Sequence, residues 1–159
     1  MSAGTDTAKE LTDRMYRYAE LFDTGQFDAF AAQFEHGVWH KAEPGADGVR
    51  RYLDEHVLTY DGSPRTKHVT TNVVVDVDEE AGTATASAYV TVFQALPDFP
   101  LQPIFSGRYR DRFERVGRDW RWVERRVLGD LYGDVSHHVR HPSPASSSTP
   151  SSDVGDGAD

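Results

Sequence analysis

Asp23 and His68 are the two side chains of this sequence whose types and settings best suit moving a proton near neutral pH. Asp23 directly follows Phe22 at the end of an apolar stripe and stands five residues after Tyr18. That spacing predicts a carboxylate at the C-terminal end of a helix, where the macrodipole is negative and an anion is disfavoured. Such surroundings are one way a carboxylate is tuned into an acid or base. The plainer alternative is a solvent-facing residue opening the turn Asp23-Thr24-Gly25. His68 stands in Arg65-Thr66-Lys67-His68-Val69, at the start of a strand, and imidazole is the group best matched to proton transfer at pH 7. A strand histidine is also at home as a half-exposed polar residue. A carboxylate partner would orient its ring and fix its tautomer.

Asp111 interrupts an apolar row. Phe105, Gly107, Tyr109 and Phe113 share its parity, whereas Arg108, Arg110 and Arg112 take the other. A carboxylate there either reaches into a cavity or pairs with an arginine of the neighbouring strand, with Arg121, Arg125 and Arg126 as candidates. Eight arginines between positions 108 and 126 stand against four acids. They predict a basic outer sheet surface or dimer contact. Trp39, Phe93 and Tyr109 suit a pocket for a flat or fused-ring ligand, and His40 beside Trp39 is a further pocket candidate. His137-His138-Val139-Arg140-His141 reads as a solvated run and not as a metal site. No G-x-S-x-G, P-loop, G-x-G-x-x-G or H-E-x-x-H signature occurs.

The elements that must position these groups follow from periodicity. Thr7 and Glu10 have capping-box spacing, and Leu11, Met15, Tyr18 and Phe22 then recur on one helical face until Gly25. Phe27, Phe30, Ala31 and Phe34 predict a second short helix ended by Gly37, and Val38-Trp39-His40 a short strand. Val49, Leu53 and Val57 predict a third helix within Ala46 to Leu58. From residue 66 the period becomes two. Val69, Thr71, Val73, Val75 and Val77 alternate with His68, Thr70, Asn72, Val74 and Asp76, then Glu79-Glu80-Ala81-Gly82 makes a turn into Thr83 to Gln94. Pro97, Pro100 and Pro103 predict a loop, before a second hairpin of Ile104 to Val116 and Trp120 to Leu131. Three helices and four long antiparallel strands imply an α+β domain with the helices on one sheet face.

Composition narrows the function classes. The 159 residues are 38% hydrophobic before the 13 glycines are counted, enough for one folded domain with a core and a pocket. A net charge of −9 argues against a nucleic-acid partner. No apolar run approaches the length of a membrane span, and the N-terminus lacks signal-peptide features. Absence of cysteine excludes disulfides and thiolate metal sites and suits a reducing compartment. A cytoplasmic protein is the expectation, with a domain over residues 1–140 and a Ser/Pro/Gly/Asp-rich disordered tail over 141–159.

Tyr18 to Asp23, Gly25-Gln26-Phe27-Asp28 and Phe34 resemble the opening of SnoaL-like domains in the NTF2-like superfamily. The resemblance runs on through Thr66-Lys67-His68, Asn72-Val73, Gly107 to Asp111, Trp120-Arg121-Trp122 and Arg125-Arg126, covering about residues 8–135. It implies a cone-shaped α+β barrel in which a curved, mainly antiparallel sheet wraps the helices around an apolar pocket. Scytalone dehydratases and bile-acid dehydratases are most similar in chemistry. In them an Asp of the first helix meets a His of the long strand, with Tyr near the substrate oxygen. Asp23 and His68 stand at those two positions, and Tyr18 matches the bile-acid enzymes' tyrosine in its spacing to the Asp. Scytalone dehydratase's second pocket histidine has no counterpart in Phe93-Gln94-Ala95-Leu96, and its asparagine falls near Tyr109. Ala88-Tyr89-Val90-Thr91 does not carry the limonene-type epoxide hydrolase arrangement. Asp111 would complete a steroid-isomerase-like carboxylate pair only by entering the cavity.

The function implied is a cofactor-independent, homodimeric acid–base enzyme for a hydroxylated cyclic or polyketide-like small molecule, a dehydratase or else an isomerase or cyclase. Asp23 and His68 are its catalytic pair. Tyr18, Trp39, His40, Phe93, Tyr109 and Asp111 are its substrate contacts. A non-catalytic binding or partner module, including an oxygenase accessory subunit, is the alternative.

Overall fold

In the computed structural model, which describes residues 3–140, the chain opens on a long helix, α1 (Ala3–Asp23). Leu11, Met15, Tyr18 and Phe22 are buried along one side of it, as their spacing requires. The helix begins ahead of the expected capping box. Thr7 therefore lies inside it, and its hydroxyl donates to Glu79 Oε1 at 2.6 Å instead of capping. Helix α2 (Phe27–Ala32) buries Phe27, Phe30 and Ala31, and α3 (Ala46–His56) buries Val49 and Leu53. No helix among the described residues is long and apolar enough to cross a membrane.

Five strands form one sheet: β1 (Val38–Trp39), β2 (Thr66–Asp78), β3 (Thr83–Leu96), β4 (Phe99–Val116) and β5 (Asp119–Tyr132). Their order is β1-β5-β4-β3-β2, with β1 parallel to β5 and every other pair antiparallel. The sheet is open and interrupted by register shifts in β2, β3 and β4. Such bulges add local bend and twist to a strand, so the long ladders curve. The helices pack on its inner face, α1 alongside β2. Phe30, Phe34, Tyr109, Phe113 and Trp122 fill the space between them.

Two strand expectations change. Pro100 and Pro103 lie within β4, not in a loop. Beyond Phe105, which pairs with Tyr132 at the end of β5, that stretch of β4 is laddered to β3 alone. Proline is tolerated there because an edge leaves one row of donors unused and bulges break the rest. In β2 the alternation is not continuous. Thr71 pairs with Tyr89 and Val74 with Ser87, so Asn72 and Val73 together face Ala88 alone. Asn72 takes φ +53° to make this bulge. The shift reverses parity, and thus both His68 before it and Val73, Val75 and Val77 after it point inward. The segment 141–159, expected as a tail, lies outside the described residues.

Candidate functional site

Asp23 is the last residue of α1, and the loop before β2 is pressed against that helix end. Gly25, at φ +73°, permits the approach: a Cβ there would stand 1.8 Å from the Gly62 carbonyl oxygen. The Ser63 hydroxyl donates to the Asp23 carbonyl at 3.0 Å. β2 then supplies three donors to the Asp23 carboxylate. Thr66 Oγ1 donates to Oδ1 at 2.8 Å, the His68 backbone N–H to Oδ2 at 2.8 Å, and His68 Nδ1 lies 2.6 Å from Oδ1. An anion at a helix C-terminus is disfavoured by the dipole, and these donors offset that cost. Both side chains are about nine-tenths buried, which excludes the solvent-facing alternatives. An ionised carboxylate can only accept, so beside it a neutral His68 ring carries its proton on Nδ1 and its lone pair on Nε2.

The His68 ring forms part of the wall of a cavity of about 450 Å³ between the helices and the inner sheet face. Phe22 packs edge-on against it at 4.8 Å between centroids. Tyr18, Trp39, His40 and Tyr109, all expected in a pocket, line the same cavity. Trp39 Nε1 donates to the Tyr18 hydroxyl at 3.0 Å, and the Tyr109 ring stands 5.6 Å from that of Tyr18. Burial raises both phenols above the ordinary tyrosine value, Tyr109 strongly, while the nearby Arg125 charge opposes the shift. Both remain O–H donors at neutral pH. Burial, with Lys41 adding to it, pulls His40 down to about 4, so its ring is neutral.

Two expected contacts belong elsewhere. Phe93 is not in the cavity wall. Its neighbour Val92 takes the inward position, and Phe93 pairs across to Lys67 and Pro103. Asp111 is fully buried but does not line the cavity. Its carboxylate accepts from Arg125 Nε at 2.8 Å and from Nη2 at 2.6 Å. Of its two expected fates, the cross-strand pair is the one realised. Burial alone would lower the Arg125 pKa, but Asp111 outweighs it and holds the guanidinium charged. That cation lies 3.9 Å from the centre of the Tyr109 ring and 4.2 Å from that of Tyr18. A buried ion pair therefore underlies the two phenols. On the outer surface Arg108, Arg112, Arg115 and Arg121 pair with Asp130, Glu124, Glu79 and Glu114, so much of the expected basic face is neutralised.

The sequence places His138 in a solvated run, yet it is half-buried in the cavity wall with Val139, beside the buried Val135. The 135, 138, 139 spacing, one apolar face of a turn, was the available signal. Phe22, Tyr52, His56, Phe105 and Val127 complete much of the lining and were not singled out as pocket residues. Among the described residues no three His, Asp or Glu side chains come together as a metal-binding group.

The same fold recurs among solved structures. Rv3472 from Mycobacterium tuberculosis, described as a protein of unknown function, is 25% identical over 76% of this chain and 69% of its own, with a TM-score of 0.63. An NTF2-like protein with a cystatin-like fold from Novosphingobium aromaticivorans is 22% identical, covering 81% and 84%, also at 0.63. Another protein of that organism, provisionally named a scytalone dehydratase, is 19% identical over 81% and 91% at 0.60. No curated protein matches the chain. The family model of the SnoaL-like domain matches residues 5–126, from α1 into β5. With that match spanning most of the chain, and helices seated on the inner face of a curved sheet as the family resemblance implies, this protein belongs to the SnoaL-like domain family.

Proposed function

We propose that this protein is a cofactor-independent acid–base enzyme, a dehydratase in the first instance, acting on a hydroxylated cyclic or polyketide-like small molecule. The observation that carries this reading is the 2.6 Å contact of Asp23 with the inner nitrogen of a cavity-lining histidine. It leaves His68 with a lone pair on Nε2 and a carboxylate ready to stabilise the imidazolium. In the proposed reaction Nε2 takes a proton from the carbon next to a substrate carbonyl, leaving an enolate and a charged ring. The Tyr18 hydroxyl accepts from Trp39 and is hydrogen-bonded to Tyr109, so the linked phenols keep one proton between them for the enolate oxygen. Electrostatic stabilisation of this kind contributes several kcal/mol, on the order of 3, in a dry site. The imidazolium next protonates the hydroxyl on the β-carbon. The C–O bond breaks, water leaves, and the conjugated double bond forms with His68 neutral again. The scytalone dehydratase name carried by one structural relative points to the same class of chemistry. Isomerisation or cyclisation uses the same first step.

A bicyclic β-hydroxyketone, whose loss of water produces a naphthol with a new near-ultraviolet absorbance, is the test substrate. Acceleration by the native protein, reduced about 10²–10⁴-fold in His68→Ala and Asp23→Asn, is the expected result. Acceleration that survives both substitutions would overturn the acid–base assignment, as would its complete absence. The same reading includes a homodimer through the outer sheet face, where Val74 and Tyr89 are exposed. Light scattering at micromolar concentration reads its mass directly.

A further inference from the structure

After β5 the chain runs back along the cavity wall, and its backbone is held at successive positions. The Tyr60 hydroxyl and Gln94 Nε2 both donate to the His137 carbonyl, at 2.7 and 3.1 Å. Leu58 N–H donates to the His138 carbonyl at 3.0 Å, Val139 bridges to Val57, and Arg140 N–H donates to His56 at 2.9 Å. None of these bonds uses the His138 side chain. Its ring instead lies in the cavity wall, 5.9 Å from the Phe22 ring that also packs against His68. Its Nδ1 is buried and has no hydrogen-bond partner among the described residues. A buried nitrogen left unpaired is costly, and a partner supplied by a ligand is one way that cost is met. His138 also lies beyond residues 5–126, the span matched by the family model.

We infer that His138 is a ligand-binding residue of this cavity, whose ring, held by no hydrogen bond at Nδ1, turns in the wall on binding so that this nitrogen meets a hydroxyl on a small aromatic or alicyclic ring lying against Phe22. The inference rests on the cavity being the substrate site proposed above. Burial, and then the proximity of His68, pulls His138 down to about 4, so the ring is neutral at pH 7. A neutral imidazole offers one lone pair and one N–H. A hydroxyl both donates and accepts, and so it satisfies Nδ1 in either tautomer, whereas a carbonyl serves only one. Asp23, close enough to act on the same ring, disfavours an anion there. His138 thus selects for an oxygen substituent at one end of the ligand, while His68 faces the carbon that loses its proton.

Equilibrium dialysis of naphthol and of naphthalene against the native protein and His138→Phe tests this. The affinity ratio of naphthol to naphthalene should fall about three- to tenfold in His138→Phe, the worth of one hydrogen bond. Naphthalene binding should stay within about twofold in that variant. In the native protein, naphthol but not naphthalene should move the His138 Nδ1 resonance in ¹⁵N spectra, a readout that does not depend on the variant folding. An unchanged ratio in His138→Phe, or an unmoved resonance, overturns the role of His138 and leaves the cavity as a binding site. Failure of the native protein to bind either ring overturns the cavity reading and this inference together.

Discussion

Asp23 holds His68 at two points: one carboxylate oxygen accepts the histidine's backbone N–H at 2.8 Å, while the other lies 2.6 Å from its ring. Backbone position and ring orientation are thereby set by one residue of the neighbouring helix. Asn at position 23 keeps the size but offers one acceptor and one amide donor, which cannot serve all three present donors. Asp23→Asn should reduce turnover of a β-hydroxyketone about 10²–10⁴-fold. It should also cost about 1.5–3 kcal/mol of stability, the worth of a hydrogen bond to a charged group, read from urea unfolding.

Asp111 and Arg125 form an ion pair with no exposed side-chain surface. Removing either partner alone, as in Asp111→Leu or Arg125→Met, strands a charge in the interior. Each should destabilise the fold by about 3–5 kcal/mol. The double substitution should recover most of that loss, since neither charge then remains to be solvated. Denaturant unfolding of the four proteins gives the coupling energy.

The bulge at Asn72 is what lets His68 before it and Val73, Val75 and Val77 after it share the inner face. Asn tolerates a positive φ better than most residues, and a β-branched residue tolerates it poorly. Asn72→Val should cost about 1–2 kcal/mol and lower turnover by misplacing His68. Asn72→Gly should be close to neutral in both respects. Thermal unfolding and initial rates on the same preparations check the pair.

His40 and His138 are both held neutral in the fold, each at about 4, against an ordinary value of 6.5. Below pH 6.5 the unfolded chain binds protons that the folded chain refuses, so stability falls as pH drops from 6.5 towards 4 and levels off beneath that. For His138 the groups felt are His68, which opposes protonation, and Asp23, which favours it. His138→Phe should flatten the decline between pH 6.5 and 4. Urea midpoints at pH 7, 5.5 and 4 measure the slope.

The helices were legible because their apolar residues are spaced for one buried face, as with Leu11, Met15, Tyr18 and Phe22. The strands were legible by alternation up to the bulges. One extra residue at Asn72 reverses every side chain after it, and a period-two reading cannot locate such an insertion. The prolines of β4 misled because the rule against them applies to strands paired on both sides, and that stretch is an edge. Asp23 and His68 stood out through residue type and family resemblance. Their contact depends on Gly25 admitting the Gly62 backbone, a tertiary detail invisible in spacing. His138 was hidden because a polar run near the chain's end looks solvated, and only its docking on Leu58 and Val57 buries it.

The proton-abstraction step can be isolated with a bicyclic ketone that lacks the leaving hydroxyl, so that no water can be lost. In D2O, deuterium uptake at the carbon next to the carbonyl, followed by proton NMR, reports removal of that proton alone. The native protein should catalyse the exchange, and His68→Ala should bring it down to the rate of buffer. Equal exchange by the native protein and His68→Ala would contradict the assignment of His68 as the base.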